Sequence, residues 1–201
     1  NEAAVHVLLP IVVRFREQHP RAQVEMRRVP SRQIPGEVLN RSLDFGFVTF
    51  RPAERGLLSV SLGVDELVML AHPKHPLARR RQITMEEFGR QTVIAHNDYS
   101  PRRERVLRLF EEKHAPINIQ ISLASLDGIK RAVEMGLGVA LLPRRCALSE
   151  IARKQLVAVR VPQLRMPRDL RLVYRRSGES SHAASAFLEA AREHAEKPAA
   201  K

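Results

Sequence analysis

The stretch SLDGIKRAVEMGLGVALLP, residues 125–143, constrains the fold more than any other part of the chain. Ser125 is a helix N-cap residue type, and Ile129, Ala132 and Val133 share one face at helical spacing. Gly136 can stop that helix in the left-handed conformation, and after Gly138 the chain runs straight into an apolar segment closed by Pro143. The stretch predicts a helix, a tight turn and a short buried strand.

The same alternation recurs along the chain. Residues 3–19 carry Val5, Leu8, Leu9, Val12 and Phe15 as a helical stripe, which Pro10 should kink or restart. AQVEMRRV, residues 22–29, alternates Ala22, Val24 and Met26 with polar partners and reads as a strand. A short helix entered at Ser31 and a buried strand in DFGFVTF follow, then extended runs at 58–62 and 66–71. HPKHPLARRR, residues 72–81, reads as an exposed crossover. Beyond it come a capping box at Thr84 and Glu87, a strand in TVIAH, a helix opened by Ser100 and Pro101, and the alternating run INIQISL. After residue 143 the pattern gives a short helix near Cys146, the strands LVAVRV and LRLVYR, and a last helix from about Ser181 to Ala195. Strands alternating with helices of this length predict an α/β fold with mainly parallel sheets. Two crossovers, near 72–76 and 162–167, divide the chain. Residues 1–71 with 169–201 would form lobe I and residues 72–168 lobe II, with a ligand cleft between them.

Composition narrows the function classes. The 201 residues suffice for one large domain or two small lobes. No apolar run reaches the roughly 18 to 20 residues that cross a bilayer, so a soluble chain with no membrane partner is expected. Cys146 is the only cysteine, which excludes an internal disulfide and a cysteine-rich zinc site and suits a reducing compartment. A net charge of +12, from 34 Lys and Arg against 22 Asp and Glu, should attract anions. The arginines are spread along the chain, aromatic residues make up 4% and Trp is absent, so there is no stacking platform of the kind single-strand binders use. The charge reads as background attraction.

The chemistry-bearing residues point to binding, not catalysis. The eight histidines show no metal-ligand spacing, and no phosphate loop or nucleophile elbow is present, so neither a metal nor a cofactor nor an enzyme activity is expected. Cys146 follows Arg144 and Arg145, which could lower its pKa, though a buried structural thiol is the simpler reading. In HNDYSPRR, residues 96–103, a helix beginning at Ser100 would present backbone N–H groups beside Arg102 and Arg103 to an anion; an ordinary capped helix with exposed arginines is the alternative. Ser31 and Ser125 each precede a helix after an expected strand, where ligands collect in open α/β sheets, or serve only as N-caps.

Four stretches in order resemble the effector-binding domain of LysR-type transcriptional regulators: LLPIVVRFREQHP, LDFGFV, DELVMLAHPKHPLA and MGLGVALLP. The resemblance implies two α/β lobes of the type II periplasmic-binding-protein kind joined by two crossover strands, with a small-molecule effector in the cleft. It also implies a bacterial, cytoplasmic regulator whose N-terminal winged helix-turn-helix binds DNA, with this domain pairing as a dimer inside a tetramer. The family's effector contacts map onto Asn1 and Glu2, Ser31 and Arg32, Thr49, His96, Asn97 and Ser100, and Ser125. Arg32 or Arg102 would be the charge partner for a carboxylate effector. Two departures stand out: the family's strand before the first helix and its DNA-binding domain are both missing from these residues, so the chain is expected to be part of a regulator. A solute-binding transport protein of the same fold is the alternative.

Overall fold

The computed structural model describes residues 2–97, 100–176 and 181–196, which group into two compact units. The first comprises Ala3–Asp65 and the described residues from Arg168 onward; the second is Glu66–Pro167.

The first unit is built on a three-stranded sheet. β1 (Gly46–Val48) and β2 (Leu57–Asp65) flank β8 (Arg168–Arg175), and both pair with it antiparallel. Helices cover both faces. α1 (Glu2–Gln18) and α7 (His182–Glu196) bring Val7, Ile11, Phe15, Ala190 and Ala191 against Leu62, Leu170 and Leu172. On the other face α2 (Ile34–Leu39) packs Ile34 and Val38 against Val48, Leu57 and Val173. Each large apolar side chain removed from water contributes about 1.5–3 kcal/mol before entropy is counted.

The second unit centres on β3 (Leu67–Ala71), buried along its whole length. It pairs antiparallel with β6 (Ala140–Pro143) and β7 (Val157–Val159). Alternate residues face opposite sides, as the pleat requires. Leu67, Met69 and Ala71 meet Met85 and Phe88 of α3 (Met85–Gly89) and Val106 and Phe110 of α4 (Pro101–Glu112). Val68 and Leu70 meet Leu126, Ile129 and Val133 of α5 (Leu126–Glu134), beside α6 (Leu148–Ala152). β4 (Val93–His96) and β5 (Ile119–Leu123) form the parallel pair.

Several expectations need correcting. The ladders of the first unit and those of β3 are antiparallel, not parallel, because β2, β3 and β8 are long-range connecting strands that return against their neighbours. β3 lies in the second unit, so the chain passes between units at 65/66 and 167/168, ahead of the expected boundaries at 71/72 and 168/169. Residues 22–29 form no strand: Val24 and Met26 are exposed, and among the described residues no strand pairs with them. Alternation alone cannot make a strand without a neighbour to complete its hydrogen bonds. α1 runs through Pro10 without a break, its two halves held by one buried stripe of Val7, Ile11 and Phe15. α2 begins at Ile34 after Gln33, with Pro35 in its first turn, so Ser31 does not cap it.

Candidate functional site

The parallel pair gathers most of the expected site residues of the second unit. His96 lies opposite Leu123 in the β4–β5 register, and the Asn97 N–H donates to the Leu123 carbonyl at 2.9 Å. The carboxyl ends of both strands therefore lie side by side, and the loops leaving them open α4 and α5. Ser100 accepts from the Arg103 N–H at 3.2 Å and Ser125 accepts from the Gly128 N–H at 3.0 Å. His96, Asn97, Ser100, Arg102 and Ser125 thus share one end of the β4–β5 pair, the position where parallel sheets bind ligands.

The first turn of α4 offers an anion less backbone than its sequence suggests. Pro101 has no N–H, the Ser100 hydroxyl takes that of Arg103, and the Glu104 N–H donates to the Ser100 carbonyl at 3.0 Å. Positive charge must come from side chains. Arg102, expected as a charge partner for the effector, donates from Nη2 to the Met166 carbonyl at 2.7 Å. On Arg103 the Nε is buried and has no hydrogen-bond partner among the described residues. A buried charged donor lacking an acceptor is costly, and an anion is the guest that would relieve it. Arg103 is absent from the contacts that the resemblance implies, although the doubled arginine after Ser100 and Pro101 carried the signal.

In the first unit, Ser31 and Arg32 are exposed on the turn ahead of α2, and Thr49 is half-buried just beyond β1. Ile34 and Val48, close to these residues in the chain, belong to one small core cluster that fixes both segments. Asn1 and the Glu2 side chain lie outside the described part of the structure. A cavity of about 200 Å³ sits between β8 and α7, lined by Phe45, Tyr174, Arg175 and Leu188 among others, and contains none of the expected residues.

Cys146 is buried, and its thiol donates to the Pro143 carbonyl at 2.9 Å, which marks it as a packing residue. Among the described residues no group of three or more His, Cys, Asp or Glu could hold a metal ion, and no helix is long and apolar enough to cross a membrane.

A family model described as LysR substrate binding domain matches residues 1–196. The chain belongs to that family. Among curated relatives, this LysR substrate binding domain is 29% identical over 184 residues to the uncharacterized HTH-type transcriptional regulator YeiE of Escherichia coli K12, covering 92% of the chain and 62% of YeiE. It is 33% identical over 189 residues to the phosphonates import ATP-binding protein PhnC of Anaeromyxobacter dehalogenans, covering 92% of the chain but 38% of PhnC. The chain therefore spans less than two thirds of either relative. Among solved structures, the CcmR regulatory domain of Synechocystis PCC6803 in complex with 2-PG superposes with a TM-score of 0.75 at 22% identity, covering 98% of this chain and 94% of that one. That likeness shows the type II periplasmic-binding-protein-like fold.

Proposed function

We propose that this LysR substrate binding domain is the ligand-sensing part of a bacterial transcriptional regulator, and that it holds a small anion, such as a carboxylate, at the carboxyl ends of β4 and β5. The observation that carries this reading is the buried Arg103 Nε, without a hydrogen-bond partner among the described residues, in the first turn of α4, beside two strand ends whose following helices both begin there. His96, Asn97, Ser100 and Ser125 supply hydrogen bonds, and Arg103 supplies the charge. Ser31, Arg32 and Thr49 are the first unit's effector contacts in this reading, with Asn1 and Glu2 at the start of the chain. The full-length regulator is then a cytoplasmic dimer or tetramer that binds DNA through an N-terminal winged helix-turn-helix. Its effector changes transcription by binding one arrangement of the protein more tightly than another. Family membership favours this role over solute transport.

The test is the thermal unfolding midpoint of the domain against a panel of small carboxylates and phosphorylated compounds, 2-PG among them, at moderate and high salt. A ligand at a hundred times its Kd adds about 2.7 kcal/mol, or about 5–10 °C for a chain of this size. Asn97→Ala and Arg103→Gln, neither of which removes a helix cap, are expected to abolish the shift while leaving the ligand-free midpoint within about 2 °C. A panel without any salt-tolerant shift, or a shift unchanged in both variants, overturns the proposal.

A further inference from the structure

The strongest unexplained contact in the second unit joins α4 to the last turn before the chain enters β8. Arg102 Nη2 reaches across 64 positions of sequence to the Met166 carbonyl at 2.7 Å. Met166 is half-buried, packs against the core cluster of Phe88 and Phe110, and has a φ of 39°, a left-handed value that non-glycine residues rarely hold. Pro167 follows it, and a residue before proline is normally driven to extended backbone. The residues around Met166 are pinned. Arg165 forms an ion pair with Glu66, and its carbonyl accepts from the Leu67 N–H at 2.8 Å. Arg168 stands opposite Asp65 in the β2–β8 register. Met166 is thus a strained residue in a short segment fixed at Arg165 and Arg168, and such conformations persist only where the surroundings hold them.

We propose that Arg102 is a positioning residue: it holds the Met166 carbonyl and so transmits occupancy of the α4 amino-terminal turn to residues 165–168, where the chain leaves the second unit. This rests on the reading of that turn as part of the ligand site. The chemistry fits arginine. One donor of the guanidinium is committed to the carbonyl, while the residue itself sits next to Arg103 in the turn that would meet the anion. A ligand that draws or repels the Arg102 head then alters the hold on a strained peptide, and release of Met166 changes backbone angles at the crossover itself.

Amide hydrogen exchange, read in peptides covering residues 100–106 and 163–169, tests this with inorganic phosphate as the probe and chloride at matched ionic strength as the control. In the unaltered protein phosphate is expected to slow exchange in both peptides. In Arg102→Met without phosphate, exchange in 163–169 is expected to rise about tenfold, the effect of losing one charge-assisted hydrogen bond. With phosphate, Arg102→Met is expected to keep the protection at 100–106 and lose the response at 163–169. Placing Met166→Gly in the same chain removes the left-handed strain, so Arg102→Met in that background is expected to raise exchange less than half as much; a merely structural contact would give the same increment in both backgrounds. Phosphate protection confined to 100–106 in the unaltered protein, or an unchanged response in Arg102→Met, overturns the coupling and leaves the ligand site standing. Protection at neither peptide overturns the ligand site and the coupling with it.

Discussion

Replacing Glu150 by alanine tests the one buried cation of the described core. Lys130 is 5% exposed, and its ammonium donates to Glu150 Oε1 at 2.7 Å, to Asp127 Oδ1 at 2.9 Å and to the Cys146 carbonyl at 2.9 Å. These contacts tie α5 to α6 beside the face where Ile129 and Val133 meet β3. The Glu150 side chain is 16% exposed and that of Asp127 80%, so Glu150 is the partner that shares the burial. Breaking a buried pair from one side costs about 3–5 kcal/mol. Asp127 and the carbonyl still compensate part of the charge, which brings the expected loss for Glu150→Ala to about 2–3 kcal/mol. For about 200 residues that lowers the melting midpoint by about 4–12 °C. Lys130→Met keeps the buried stem and removes the charge. It removes the ammonium's hydrogen bond to the Cys146 carbonyl, while Glu150 keeps Ser149 and some solvent, so about 1–2 kcal/mol is lost. The double variant is expected to lose at least about 1 kcal/mol less than the sum of the two. Urea unfolding measures all three. Additive losses, or a Glu150→Ala loss below about 0.5 kcal/mol, would refute the argument.

The same network fixes a pH window. Burial alone raises the Glu150 carboxyl, but hydrogen bonds from Lys130 and Ser149 outweigh it and hold the group below its ordinary 4.5. Burial lowers the Lys130 ammonium, and the bonds to Glu150 and Asp127 outweigh that and hold it above its ordinary 10.5. A carboxyl depressed by folding contributes stability above its unfolded pKa and loses it as pH falls through the folded value; a raised amine contributes below its unfolded pKa and loses it as pH rises through the folded value. The pair therefore contributes fully between pH 4.5 and 10.5. The difference between the unaltered protein and Glu150→Ala should shrink on acidification below that window.

Two other sites give sharp expectations. Gly136 has a φ of +77° and nothing within 4 Å of the place a methyl group would take, so Gly136→Ala meets only the left-handed penalty, about 1–2 kcal/mol in urea unfolding. At Gly138 an added Cβ would lie 2.3 Å from the Thr92 carbonyl oxygen, a backbone atom that cannot step aside, so Gly138→Ala should cost more, about 3 kcal/mol or above, and speed exchange at the start of β4. Thr84 accepts from the Glu87 N–H at 3.2 Å while Glu87 accepts from the Thr84 N–H at 2.8 Å. Thr84→Ala should therefore lower stability by about 1 kcal/mol, seen as a lower urea midpoint with the slope unchanged.

The site was partly legible for a physical reason. Helix caps act over three or four residues, so Ser100, Ser125 and the Thr84 box could be read from spacing and stand where expected. Ser31 failed because a capping residue type was present but Pro35 and Gln33 placed the helix start later. Arg102 and Arg103 look equivalent side by side in the chain, yet the fold brings the Arg102 guanidinium to a carbonyl 64 positions away. No local pattern distinguishes them.

The sequence by itself determined what short-range physics can specify: the helix, left-handed stop and buried strand of residues 125–143, the caps, the apolar stripes, and the order of motifs that marks the LysR substrate binding domain family. Only the tertiary structure decided which strands pair and in which direction. β8 inserts between β1 and β2, and residues 22–29 form no strand despite their alternation. It also decided that Lys130 is buried and that Met166 is held in a strained turn. Periodicity reports which face a side chain takes along its own element, whereas pairing, burial of a charge and backbone strain depend on partners contributed by distant parts of the chain.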